Sequence, residues 1–244
     1  MMISPRFFCP EGLAPGASLS LPENAARHAA RVLRLSAGAA VTLFDGRGGE
    51  YAATIASVRK DEVVAEVGAW RDRECESPLQ IRLVQALQAG EKMDLTVQKA
   101  VELGVAAIQP VASKRSVVRL EGERAQRRVE HWRGVVASAC EQCGRNRVPV
   151  VGEIEPLDRW LAKPAEAPLR LMLSPQATLT LDALPQARSL ELLIGAEGGL
   201  DPQEMAAAES AGFVGVRLGP RVLRTETAGL TALAAIQMLW GDFR

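Results

Sequence analysis

From Leu79 to the end of the chain, short apolar runs alternate with helical periodicity, and no other feature limits the fold as tightly. Leu79 to Leu87 reads as a strand, Lys92 to Leu103 as a helix stopped by Gly104, and Ala106 to Val111 as a strand. Glu121 to Gln142 is a long amphipathic helix, and Leu169 to Leu173 and Leu190 to Ile194 are strands. Pro202 to Ala211 is a helix, Val214 to Leu218 a strand and Thr225 to Trp240 the last helix. Such alternation predicts an α/β fold with a mainly parallel sheet covered on both faces. Ligands of these sheets bind at the carboxyl ends of the strands.

The first seventy-odd residues follow a different pattern. A helical stretch from about Glu23 to Leu35 precedes three β-like runs, Ala40 to Phe44, Tyr51 to Val58 and Val63 to Val67. Asp45-Gly-Arg-Gly-Gly and Arg59-Lys-Asp-Glu separate them with hairpin chemistry. A small β-rich barrel domain over 1–72 is expected, with Arg71 to Pro78 as linker and a second domain over 73–244.

Composition narrows the function classes. With 29 Lys+Arg against 29 Asp+Glu and 48% hydrophobic residues, the 244-residue chain is globular rather than disordered. Its longest nearly apolar stretch, Leu230 to Trp240, is about half of a bilayer span. The N-terminal residues lack a signal-peptide h-region, so a cytoplasmic protein is expected. The pair Cys140-x-x-Cys143 has no second ligand pair, and His28 and His131 are far apart, so no metal is expected. Placed late in a helix, both thiols read as inert.

Charge is unevenly placed. Lys114 to Arg147 holds nine basic and four acidic residues, whereas Val150 to Gly212 holds four and ten. This segregation favours an anionic partner, most of the basic side chains being arginines suited to phosphate. A solvated helix face accounts for Arg124 to Arg133 about as well. Arg145 and Arg147 follow the helix in a loop leading to Pro149 and are the stronger candidates for contact with an anionic partner.

Two loops stand at strand ends. Gly195-Ala-Glu-Gly-Gly-Leu200 precedes Asp201-Pro202-Gln203-Glu204, which reads as an N-cap, an N1 proline and a capping-box glutamate. It is neither a dinucleotide fingerprint nor a phosphate loop. Gly219-Pro-Arg-Val-Leu-Arg224 leads into a helix that is apolar nearly all round from Ala228, which predicts burial in the core plus a subunit interface. Arg221 and Arg224 are therefore expected in a largely desolvated setting, paired with an anionic ligand, Glu226 or another carboxylate.

The residues then carry a resemblance. Arg6-Phe-Phe, His28-x-x-Arg31-Val-Leu-Arg34, Lys99-Ala-Val-Glu102-Leu-Gly104 and Glu141-Gln-Cys-Gly-Arg145 match, in order and spacing, the RsmE family of SPOUT-class methyltransferases. Ile194-Gly-Ala-Glu-Gly-Gly199 and Leu218-Gly-Pro-Arg-Val-Leu-Arg-Thr-Glu-Thr-Ala228 complete the match, with Ala196, Leu200 and Cys143 departing from the usual residues. The resemblance implies a PUA-like barrel followed by a trefoil-knotted SPOUT domain, a homodimer, and methyl transfer from S-adenosyl-L-methionine to uridine N3 in 16S rRNA, at the U1498-type position. It implies cofactor contacts from Leu173, Gly195, Glu197, Gly198, Gly199, Leu218, Gly219, Val222, Leu223, Thr227 and Ala228. For RNA it implies Arg6, His28, Arg31, Arg34, Lys99, Gln142, Arg145 and Arg147.

Uridine N3–H is a weak acid, so the site must remove its proton or stabilise charge on O2 and O4. Arg224 suits the second task, and Glu141 and Glu226 are candidate bases. A non-catalytic RNA-binding module is the alternative; an α/β dehydrogenase lacks its fingerprint here.

Overall fold

A computed structural model describes residues 4–60 and 62–243 and divides into two compact units. One comprises the chain up to Glu76 together with Ala137–Val148; the other comprises Ser77–Val136 and the chain from Pro149.

In the first unit a five-stranded sheet runs in the order β1 (Arg6–Phe8), β3 (Ala40–Phe44), β4 (Glu50–Arg59), β5 (Glu62–Arg71), β2 (Ser18–Ser20). β3, β4 and β5 form the expected antiparallel meander. Asp61, in the turn expected between Arg59 and Glu62, lies outside the described residues. The three-residue strands β1 and β2 were not expected, because runs so short carry no readable alternation. β5 also runs beyond Val67 to Arg71, paired with Glu50 at the start of β4. The expected 23–35 helix is instead α1 (Glu23–Arg27) followed by a wider π-type turn, His28–Val32. Arg34 then takes φ +51°, alone among the described non-glycine residues in the left-handed region, which ends the helical path.

Phe7, Leu43, Ile55, Val63 and Ala65 fill the core of this unit. Against it lies a buried polar cluster that ties residues distant in sequence. The Arg6 guanidinium donates to Glu50 and to the Asn146 side chain, and stacks 5.1 Å over Phe44. Burial works against charge on Glu50, but Arg6 and Arg73 outweigh it and hold the carboxyl below its usual range. Arg145 donates twice to Glu76, at 2.6 and 2.9 Å, and the Arg147 N–H donates to the same carboxylate. Cys140 is buried and its thiol is pushed up to about 12, chiefly by desolvation, as fits an inert thiol.

The second unit carries a seven-stranded parallel sheet. Its main path is β12 (Val214–Val216), β10 (Leu169–Leu173), β11 (Ser189–Ile194), β6 (Gln80–Ala86), β7 (Ala107–Ala112), β8 (Val150–Val151), with β9 (Glu155–Pro156) also pairing β7. The helices are α2 (Lys92–Glu102), α3 (Gly122–Cys143), which continues into the first unit, α4 (Leu157–Leu161), α5 (Pro202–Ser210) and α6 (Thr225–Trp240). Asp201 caps α5, with Pro202 at the first helical turn and Glu204 closing the capping box, as the sequence predicts. β12 stops two residues before the expected Leu218, where the chain turns into the loop before α6. No helix of the described residues is long and apolar enough to cross a membrane.

α6 packs on α2 and β11. Ala232, Leu233 and Ile236 are buried there, whereas Met238 and Leu239 are 59% and 42% exposed. The helix is therefore apolar all round but covered on one side only within a single chain.

Candidate cofactor cleft

Because every pairing in the second sheet is parallel, the loops after β10, β11 and β12 emerge at one end. Together they enclose a cavity of about 480 Å³. Its walls include Leu173, Ile194, Leu200, Val216, Leu218 and Ala228, an apolar surface suited to a planar ring. Of the expected cofactor residues, Leu173, Gly195, Glu197, Gly198, Gly199, Leu218, Val222, Leu223 and Ala228 line it; Gly219 and Thr227 do not. Arg115, Ser174, Pro175, Gln176 and Met205 line it too and were not among the expected residues. Their signal is weak in sequence, since Ser174-Pro-Gln is an ordinary turn and Arg115 is one arginine among many.

The loop after β11 folds back on itself. Gly199 takes φ +71° and its N–H donates to the Ala196 carbonyl at 2.8 Å. Gly195 is the more demanding position, because a Cβ there would lie 2.8 Å from the Gly199 carbonyl carbon and 2.9 Å from the Leu200 nitrogen. The start of α6 holds this turn in place: the Thr225 hydroxyl donates to the Gly195 carbonyl at 2.6 Å and accepts from the buried Gln85 amide at 3.2 Å. From the loop after β7, Arg115 donates to the Gly198 carbonyl at 2.9 Å, and the Lys114 N–H donates to Glu204 at 2.7 Å. Glu204 thus serves both the capping box and the neighbouring loop.

The ionisable groups depart from expectation in one respect. Arg221 and Arg224 are exposed rather than desolvated, and no carboxylate lies within ion-pair distance of either among the described residues. The loop before α6 lies at the surface, where Val222 between them is 80% exposed, so both guanidiniums meet water. Glu226 is instead 3.7 Å from Lys92, which is also 3.7 Å from Glu197. One Glu226 oxygen is buried without a hydrogen-bond partner among the described residues. Burial opposes the charge on Glu197, yet hydrogen bonds from the Ala89 N–H and its own N–H, with Lys92, hold its carboxyl below the usual range.

The expected RNA residues divide by burial. His28 is partly buried, and Arg31, Arg34, Gln142 and Arg147 are exposed in the first unit. Arg6 and Arg145 correct the expectation: both are buried, at 7% and 5% exposure, so their guanidiniums brace the unit internally rather than face a phosphate. Lys99, in the second unit, pairs with Glu102 at 2.8 Å. Glu141, in the first unit, accepts from the Phe8 N–H at 3.0 Å. Burial raises its carboxyl above the usual range, against the pull of that hydrogen bond and of His28 and Arg6.

Residues 75–237 match an RNA methyltransferase domain family, and residues 21–68 an RNA methyltransferase PUA domain family. The chain is 32% identical over 239 residues to the ribosomal RNA small subunit methyltransferase E of Buchnera aphidicola, covering 98% of this chain and 97% of the relative. Among solved structures, the ribosomal RNA small subunit methyltransferase E of Neisseria gonorrhoeae bound to S-adenosyl methionine superposes with a TM-score of 0.92 at 42% identity. The match covers 99% of this chain and 100% of that one. A Legionella pneumophila methyltransferase in complex with SAM gives 0.95 at 38% identity, over 99% and 100% of the two chains.

Proposed function

This chain belongs to the ribosomal RNA small subunit methyltransferase E family, and from that premise we propose that it methylates N3 of a specific uridine in 16S rRNA, using S-adenosylmethionine. The observation that carries the reading is the cavity at the ends of β10, β11 and β12, walled by apolar side chains and by the backbone of two glycine-containing loops. Backbone groups of Leu173, Gly195, Gly199, Leu218 and Leu223 hold the cofactor, and Gly195 keeps the turn tight enough for them to reach it. When bound, S-adenosylmethionine supplies an electrophilic methyl group with a neutral thioether as leaving group.

The protein's own task is to make uridine N3 nucleophilic. Arg224, beside the cavity-lining Leu223 and Thr225, donates to O2 or O4 as negative charge develops there. Glu226, in the first turn of α6 and held near Lys92, accepts the N3 proton; Glu141 is the other candidate base. The first unit, whose residues 21–68 match the PUA family, grips RNA through the exposed Arg31, Arg34 and Arg147 and the partly buried His28. Mass mapping of 16S rRNA from cells with and without the gene tests the reading: one methylated uridine should be lost. Identical maps would leave the chain an RNA-binding protein without chemistry.

The assembly belongs to the same reading. The exposed Met238 and Leu239 of α6 supply an apolar face for a second copy, making a homodimer acting in the cytoplasm. The path from the edge strand β12 back to α6, packed on α2 and β11, supports a deep trefoil knot. Light scattering should give about twice the 26.2 kDa chain mass at micromolar concentration, and a value of one chain would refute the dimer. A crystal structure of the same sample, its backbone followed from end to end, tests the knot.

A further inference from the structure

We propose that Arg115, Arg217 and Arg221 form an oxyanion seat on the wall of the cofactor cavity and that a phosphodiester of the bound RNA occupies it. The inference rests on the methyl-transfer reading above. All three arginines line the cavity and all three are exposed. Among the described residues, no carboxylate lies within ion-pair distance of any of them. Some arginines elsewhere in the same unit are paired, as Arg133 is with Glu153 and Arg170 with Glu191; what sets these three apart is that they line one cavity together. A guanidinium carries five N–H donors, and the bond from Arg115 to the Gly198 carbonyl uses one.

The remaining charges leave this wall cationic. Glu197 is the acidic residue of the cavity lining, and it is already engaged by the Ala89 N–H and by Lys92. The seat therefore keeps its positive charge for an incoming group. S-adenosylmethionine is itself a net cation with one carboxylate, so three guanidiniums exceed what it needs. A polyanionic strand brings enough charge, and arginine forks match phosphate oxygens. The cavity wall would then meet two ligands: apolar side chains and loop backbone face the cofactor, while the arginines face the RNA backbone beside the target nucleotide.

The shared chemistry is an oxyanion, and the test separates its two sources. Wild type, the double variant Arg217→Ala with Arg221→Ala, and the corresponding double lysine variant are compared. Calorimetry reads S-adenosylmethionine affinity, and titration of a 16S rRNA fragment at several salt concentrations reads RNA affinity. The alanine variant should bind RNA about tenfold more weakly, with a salt slope shallower by up to about 1.4, that is about 0.7 for each of two phosphate contacts. Its cofactor affinity should stay within about twofold, as expected if the seat faces RNA. The lysine variant keeps the charge and should keep most of the slope. If cofactor affinity falls instead and RNA binding holds, the anion is the cofactor's carboxylate and the proposal is overturned; if neither moves, no seat exists. Should the alanine variant lose its circular dichroism spectrum, Arg217→Gln with Arg221→Gln replaces it. These readouts need no methyl transfer, so a protein that binds RNA through the arginines yet transfers no methyl refutes the methyl-transfer reading and leaves the seat standing.

Discussion

Replacing Arg224 by alanine should slow single-turnover methylation of 16S rRNA about 100- to 1000-fold at saturating cofactor and RNA, the usual cost of one charge-assisted donor at a developing oxyanion. The fold should be unaffected. Arg224 caps α6 through its backbone: its carbonyl accepts the Thr227 N–H at 2.9 Å and the Ala228 N–H at 2.7 Å, and alanine keeps that carbonyl. Its exposed guanidinium has no hydrogen-bond or ion-pair partner to lose among the described residues, so thermal stability should change by less than about 0.5 kcal/mol. Arg224→Lys retains the charge without the planar fork and should restore only part of the rate. A wild-type rate in Arg224→Ala would move the chemical role to Glu226 or Glu141.

Gly195→Ala should weaken S-adenosylmethionine binding by at least about tenfold, a change of about 1.4 kcal/mol. The added Cβ would strike backbone atoms of Gly199 and Leu200, which cannot rotate away as a side chain tip would, so the turn must open. Gly199 offers a built-in comparison. Its φ of +71° makes any side chain strained, at about 1–2 kcal/mol, yet nothing lies within 4 Å of where its Cβ would stand. Gly199→Ala should therefore cost stability more than affinity, and Gly195→Ala the reverse. Calorimetry and thermal melts on both variants check the contrast; equal cofactor affinity in Gly195→Ala and wild type would show that this turn does not shape the site.

The alternating sheet was legible because each of its longer elements carries its own period and its own stop signal. Gly104 follows the last turn of α2, and Asp201-Pro202 opens α5. Leu169–Leu173 and Thr225–Trp240 have the bounds that their apolar patterns predict. What escaped is what tertiary contact alone decides. β1 and β2 are three residues each and are stabilised by neighbours distant in sequence. The local pattern around Arg6 and Arg145 does not show that both guanidiniums turn inward, since their carboxylate partners lie 44 and 69 residues away. Within the cleft, the glycines marked the loop but not which of them the backbone crowds. Gly195 and Gly199 look alike as letters and differ only once the turn is closed.

The first unit is discontinuous, and that has a consequence for its birth on a translating ribosome. Arg6 meets Asn146, 140 residues later, and Phe8 meets Glu141, 133 residues later. At about 5–20 residues per second, the N-terminal strands wait roughly 7–30 s after their own synthesis before those partners exist. Throughout that interval the Arg6 side chain can meet Glu50 and Phe44 but lacks Asn146 and the Arg145 carbonyl. The N-terminal unit is therefore among the first to be made and cannot be completed until Ala137–Val148 has been synthesised, after most of α3, so its maturation is paced by the elongation of a segment that lies outside it.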